Sequence, residues 1–305
     1  MANLKLHYAQ QSLLGLSIGD AFGESFFGEE EMVLDHIDNR KIPFAKWEFT
    51  DDTVMAIGIF NQLEKFGKIK QEELAKEFAA NYQLDINRGY GGTAHKVLRE
   101  ISEGGDWKEI SSNVFDGQGS MGNGAAMRVG PLGAFFHNDE KELIAQAEKS
   151  AEVTHFNHEA KVGAVAIALA ARLALQTKLN GEIISAENFI RQIHECLQDS
   201  DTKSKIGKSL HVSPNSRMGT VATILGNGTK LLAQDTVPFA IWCAAHELYH
   251  FENALWKAVS VLGDKDTICA MVGSIVSLSA DEKTIPVEWM NSVEKFERSE
   301  FFRKE

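Results

Sequence analysis

Thr50-Asp51-Asp52-Thr53, running directly into Val54-Met55-Ala56-Ile57, puts four oxygen-bearing side chains where a helix begins. Adjacent carboxylates repel each other, so the pairing is unfavourable unless a cation or hydrogen-bond donors hold it. The wording recurs far downstream, where Asp264-Lys265-Asp266-Thr267 leads into Ile268-Cys269-Ala270-Met271. Aligned on Asp52 and Asp266, both read Asp-Thr-aliphatic-sulfur-Ala. Either stretch alone is explained by helix capping, because Asp and Thr are favoured N-caps and early acids complement the helix dipole. Two such stretches, each with more acid than a cap needs, point further. If both helix starts face one cleft, Asp51, Asp52, Asp264 and Asp266 form a hard-oxygen cage, with Thr50 and Thr267 adding hydroxyls. Oxygen-only sets suit Mg²⁺, Mn²⁺ or Ca²⁺ rather than zinc, and four carboxylates suffice for two bridged ions. A dinuclear Mg²⁺ or Mn²⁺ centre is the first expectation.

The rest of the chain sets the frame. With 305 residues it is long enough for one large domain or two ordinary ones, and 44% hydrophobic residues supply an ample core. A net charge of −12, spread along the chain, argues against nucleic acid or an anionic membrane as the main partner. Cys196, Cys243 and Cys269 are widely spaced and form no Cys-x-x-Cys, which fits a reducing cytoplasm rather than a disulfide framework. Met1 to Ser12 has no signal-peptide pattern, and no window of about 18 uninterrupted apolar residues marks a membrane span. A soluble cytoplasmic protein is therefore expected; the sequence does not determine its oligomeric state.

Helical periodicity dominates. Leu13, Leu14, Leu16 and Ile18 lead into Gly19-Asp20-Ala21-Phe22-Gly23, a helix whose small residues permit close packing. An irregular stretch to Lys46 follows, then the Thr50 helix to about Phe66. Asn157 to Leu175 is apolar nearly all round and reads as a buried central helix. Strand signals are weak throughout. Asp199 to Arg217 is polar and the best linker candidate, yet helices of the same character continue past it. The fold predicted is all-α: one compact multi-helix domain over 1–305, about a dozen helices, with the metal cleft formed by loops and helix N-termini.

Three further motifs carry chemistry. Gly117 to Gly124 is the most glycine-dense loop, and its backbone N–H groups beside a helix start make a general anion cradle. It matches neither the Walker nor the dinucleotide pattern. Arg128, just beyond, suits a phosphate or one of the many acids. His155 and His158 sit at the entrance of the buried helix, either facing solvent or contacting a ligand. His246-Glu247-Leu248-Tyr249-His250 literally fits the zinc-peptidase pattern His-Glu-x-x-His, but no third ligand follows at the metzincin spacing.

Taken in order, these residues resemble the ADP-ribosylglycohydrolase family over most of the chain. Gly15 to Gly23 is similar to its opening Gly-Asp-Ala-Leu-Gly helix, and Thr50-Asp51-Asp52-Thr53 to its first metal motif. Gly119-Ser120-Met121-Gly122-Asn123-Gly124-Ala125-Ala126-Met127-Arg128 resembles its substrate loop, and Thr154-His155 its Thr-His. Phe251-Glu252-Asn253-Ala254-Leu255 and Gly263-Asp264-Lys265-Asp266-Thr267 resemble its closing metal motif. The resemblance implies an all-helical fold and two Mg²⁺ or Mn²⁺ ions on Thr50, Asp51, Asp52, Asp264, Asp266 and Thr267. It makes Asp51, Asp52 and Asp264 the catalytic carboxylates, and assigns Gly119 to Gly124, Arg128 and His155 to ADP-ribose or an ADP-ribosylated protein. The reaction implied is hydrolysis of an N- or O-glycosidic bond between ADP-ribose and a side chain, with arginine expected over serine.

Two positions depart from the family pattern. Lys265 stands where a small residue or Thr is usual. Some members carry a catalytic Glu eight positions after the Gly of the opening Gly-Asp, and here that position is Phe27. The second departure opens the alternative of a non-catalytic ADP-ribose-binding protein; a zinc peptidase on His246 and His250 is the remote one.

Overall fold

Gly15, Gly19 and Gly23 lie four residues apart, so they form one stripe along a helix. In the computed structural model, which describes residues 2–43 and 46–302, that stripe packs on a helix near the other end of the chain. A Cβ on Gly19 would stand 2.1 Å from the carbonyl oxygen of Cys269, and one on Gly23 2.3 Å from that of Lys265. Gly273 returns the favour, its missing Cβ leaving room for the carbonyl of Gly15. The two helices touch backbone to backbone because a glycine stands at each of these contacts.

The elements are all helical. First come α1 (Ala2–Glu24), α2 (Glu30–Asp38), α3 (Asp51–Phe66), α4 (Gln71–Leu84), α5 (Gly92–Ser102) and α6 (Trp107–Gly117). After a 3-10 turn at Asn123–Ala125 follow α7 (Gly130–Phe135), α8 (Glu140–Glu152), α9 (His158–Asn180), α10 (Ala186–Glu195) and α11 (Asp201–Ser209). The chain continues through α12 (Met218–Leu225), α13 (Ala233–His246), α14 (Phe251–Val259), α15 (Lys265–Val276) and α16 (Val287–Ser292). Among the described residues there is no strand, only isolated bridges at Trp47–Val293 and Gly122–Leu232. All of it forms the single all-α domain expected, although Phe44 and Ala45, in the stretch read as irregular, lie outside the described residues.

Local signals explain the boundaries. Thr50 caps α3, whose other end stops at Gly67 in the left-handed region. Asn157 caps α9, and Gly181 ends it in the same way. α9 is buried on nearly all sides, packed by α7, α8 and α13. By length and composition α9 alone among the described residues could cross a membrane, a profile that buried core helices share.

Two helices depart from the sequence reading. α2 and α11 arise where irregular or linker-like sequence is expected. α11 replaces the presumed linker because Ser200 caps it and the Glu159 carboxylate accepts from the N–H groups of Asp201 and Thr202. Only Thr202, Ile206 and Ser209 are buried on α11, too sparse an apolar stripe to read in advance. α6 ends irregularly, with Phe115 and Asp116 at φ 52° and 56°.

Replacing Gly19 with Ala should lower the melting temperature by several degrees, since overpacking of this kind costs about 1–3 kcal/mol. Gly219→Ala, in α12 with nothing within 4 Å of the new Cβ, should leave stability unchanged or slightly higher. Equal melting of both variants in a thermal scan would refute the backbone contact.

Candidate active site

The close approach of α1 and α15 brings a third acid beneath the two acid stretches. Asp20, wholly buried, accepts from the N–H of Thr50 at 2.9 Å and its hydroxyl at 2.8 Å. It also accepts from the N–H and hydroxyl of Thr53, at 3.1 and 2.6 Å. Burial pushes Asp20 up to about 7, while the Thr53 and Thr50 donors pull it down. Asp20 thus ties α1 to the start of α3 and holds Thr50 in place. Its signal in the sequence was an acid between two glycines inside an apolar helix.

The two distant stretches do meet. The Thr267 hydroxyl reaches Asp52 Oδ2 at 3.2 Å, and Thr50 Oγ1 lies 3.1 Å from the same oxygen. Asp264, the N-cap of α15, makes no capping bond with its side chain, so capping does not account for it. Its carboxylate instead accepts from Asn123 Nδ2 at 2.5 Å. Asp51, Asp52 and Asp264 are pushed well above the usual carboxylate range, first by burial and then by neighbouring acids.

Whether these residues suit divalent cations can be judged from the donors present. All are oxygens, the chemistry that Mg²⁺ and Mn²⁺ prefer. Asp52 Oδ1 and Asp266 Oδ1 are buried without a hydrogen-bond partner among the described residues. A buried, unpaired carboxylate oxygen is costly, and a cation would relieve it. Among the described residues, however, no three Asp, Glu, His or Cys side chains converge as a ready-made metal cage. The fit is therefore one of donor chemistry and charge, and the closed cage expected from sequence is not preformed.

Asp51, Asp264, Asp266 and Thr267 edge a cavity of about 330 Å³. Its other walls are the Ser120–Gly124 loop, His155, the glycine-rich turn from Gly89 to Ala94, and Lys230 to Leu232. Thr50 and Asp52 lie deeper, at 5% and 1% exposure. Gly119 stands behind the loop, against the backbone of Phe156 and Asn157. Several loop groups are already used: Asn123 N–H donates to Leu231 O, and Gly122 N–H to Ser120 Oγ. The N–H groups of Ser120 and Met121 have no protein acceptor among the described residues. The anion cradle is smaller than the glycine count suggested, and Asn123 braces Asp264.

Arg128 corrects a second expectation. It is fully buried, stacked 4.6 Å from the Phe78 ring, and donates to Ser150 O at 2.7 Å and Thr154 Oγ1 at 2.9 Å. It therefore cannot grip a phosphate in the cavity. Burial pulls its guanidinium down to about 9, so it stays charged at neutral pH. Its role passes through Thr154, whose hydroxyl accepts from Arg128 and lies 2.8 Å from His155 Nδ1. With that hydroxyl proton given to Nδ1, His155 carries its own proton on Nε2. Burial and then the Arg128 charge push His155 down to about 3, so the ring is neutral. Nε2 faces the loop, where a Cβ on Gly122 or Gly124 would stand 3.1 or 3.0 Å from it. These two glycines make room for the imidazole.

The remaining candidates separate cleanly. His158 bonds to Asp199 O at the surface. The His-Glu-x-x-His stretch breaks across the end of α13, with His250 capping α14 and Glu247 paired to Lys257 at 2.6 Å, and no zinc site forms there among the described residues. The two departures from the family pattern touch each other: Lys265 Nζ sits 4.1 Å over the Phe27 ring. Of the acids near Phe27, Glu24 is the one whose charge meets Asp266; partial burial and Asp266 raise it to about 7. Phe115, exposed on its left-handed backbone, lines the cavity and was not singled out in the sequence.

The family model for ADP-ribosylglycohydrolase matches residues 3–303. ADP-ribosylhydrolase ARH3 of Xenopus tropicalis is 27% identical over 95% of this chain and 91% of its own. Human ARH3 is 30% identical over 83% of this chain and 76% of its own. ADP-ribosylarginine hydrolase Tri1 of Pseudomonas putida is 26% identical over 94% of this chain and 74% of its own. A solved structure called ADP-ribosylglycohydrolase-related protein complex has a TM-score of 0.66, covering 96% of this chain and 94% of that one. At 20% identity that likeness speaks for the fold. The opening Gly-Asp helix, both acid stretches and the glycine loop now stand in one site, and the chain belongs to the ADP-ribosylglycohydrolase family.

Proposed function

We propose that this protein hydrolyses the glycosidic bond between ADP-ribose and a modified side chain, using Mg²⁺ or Mn²⁺. One observation carries the reading. Acids from two distant stretches of the chain meet at one edge of a cavity, and two of their buried oxygens have no partner among the described residues. Divalent ions held by Thr50, Asp51, Asp52, Asp264, Asp266 and Thr267 would supply Lewis-acid polarisation of a ribose hydroxyl and of water. A carboxylate among Asp51, Asp52 and Asp264 takes the proton from the attacking water. The surrounding negative charge stabilises an oxocarbenium-like transition state. The free N–H groups of Ser120 and Met121 and the Nε2–H of His155 donate to the diphosphate, while Phe115 offers a ring face to the base.

Arginine is the linkage proposed first, as in the printed name of the Pseudomonas relative, with serine second. A cytoplasmic location goes with this reading, supported by three free thiols. A second reading, a protein that binds ADP-ribose without cleaving it, draws on the Phe27 ring over Lys265 where some relatives place a catalytic acid.

The deciding test is release of ADP-ribose from arginine-modified and serine-modified substrates with Mg²⁺, Mn²⁺ or EDTA. Metal-dependent release from either establishes the hydrolase; binding without release from both establishes the second reading.

Asp266→Asn should lower turnover at least about a hundredfold. In EDTA the same variant should melt no lower than the parent, because one repulsive buried charge is gone, and it should lose the rise in melting temperature that Mn²⁺ gives the parent. Thr154→Val should cost about 1–3 kcal/mol, leaving an Arg128 donor unsatisfied, and weaken ADP-ribose binding about tenfold by freeing the His155 ring. Unchanged affinity in calorimetry would remove His155 from the binding site.

A further inference from the structure

A second cavity, of about 320 Å³, adjoins the substrate cavity and shares Lys230 and Leu232 with it. Its far wall is α11, within the polar stretch that is the best linker candidate in the sequence. Asp201, Lys205 and Lys208 project from one face of α11, spaced four and three residues apart. Lys205, Lys208 and Lys230 thus line one concavity. None of the three has an ion-pair partner among the described residues, whereas neighbouring Lys203 is paired with Asp199 at 2.9 Å. Of the acids present, Asp235 is buried and already accepts from the Lys230 N–H at 3.0 Å, leaving Asp201 at the helix start. Three unpaired ammonium groups against one free carboxylate is an unusual balance on a chain of net charge −12.

Such a cavity calls for an anion, and lysine serves phosphate as a compact point charge. Its position narrows which phosphate. In the proposed reading the reacting ribose belongs at the acids and the diphosphate at the Ser120–Met121 loop. The partition between the cavities at Leu232 pairs with Gly122 of that loop, and Gln234 reaches the Met121 sulfur at 3.5 Å. In that reading, a group that reaches the lysines past the diphosphate hangs on the adenosine ribose.

We propose that Lys205, Lys208 and Lys230 form an anion subsite for a phosphate monoester carried on the adenosine ribose of an ADP-ribosyl ligand. The inference rests on the ADP-ribosyl reading of the main cavity. The protein then binds ADP-ribose 2′-phosphate more tightly than ADP-ribose, with the advantage shrinking as salt is raised.

Calorimetric titration of the full chain with each ligand, in Mg²⁺, tests it. The expected result is an advantage of about tenfold for the 2′-phosphate, lost in Lys205→Gln/Lys208→Gln while ADP-ribose affinity holds. Equal affinities in the parent, or a preference that survives the double variant, overturn the subsite and leave the main reading intact. If neither ligand binds, the ADP-ribosyl reading falls and the subsite falls with it.

Discussion

The site depends on how closely two helices from opposite ends of the chain can approach. Gly15, Gly19, Gly23 and Gly273 present no side chain at the points where α1 and α15 come nearest, so backbone meets backbone there. That contact sets Asp20 beneath Thr50 and Thr53, and it carries Asp266 and Thr267 onto the start of α3. A larger residue at any of the three α1 positions would push against backbone, which cannot swing aside as a side chain can. The glycines are therefore as much a part of the site as the acids they bring together.

What they bring together is electrostatically unfavourable. Asp20, Asp51, Asp52, Asp264 and Asp266 stand within reach of one another's charge, the first three of them buried. Ordinary packing forces supply the rest of the fold, and hydroxyls and amides from Thr50, Thr53, Thr267 and Asn123 soften the repulsion. Thr50 shows how capping and function coincide: it caps α3 and contacts two acids of the cluster with the same hydroxyl. Arg128 is the counterpoint, a buried cation that feels the Asp51 charge but is held directly by a ring face, a carbonyl and a hydroxyl. Its charge reaches the cavity indirectly, as a neutral His155 with a fixed proton.

Much of this was legible from residue types and spacing. The acid stretches were readable because a cap needs one oxygen and each stretch offered three or four. The buried character of α9 is readable because it is apolar nearly all round from Asn157 to Leu175. Asp20 went unassigned because a single acid in an apolar helix reveals its donors only once Thr50 and Thr53 are placed against it. Phe115 was hidden by a backbone turn that no periodicity marks. Arg128 was misread because its distance from the loop in sequence says nothing of which way its side chain points; the pull of Ser150 and Thr154 turned it inward. α11 was missed because its buried stripe is three residues long.

By itself, the sequence determined the helical class, the oxygen-rich chemistry and the family likeness, since these follow from local composition, spacing and order along the chain. Tertiary structure alone decided which oxygens share a site, which backbone donors stay free, and that Lys265 and Phe27 touch. Those outcomes depend on contacts between residues far apart in the chain, and their geometry is set by how closely helices pack rather than by any residue's own preference.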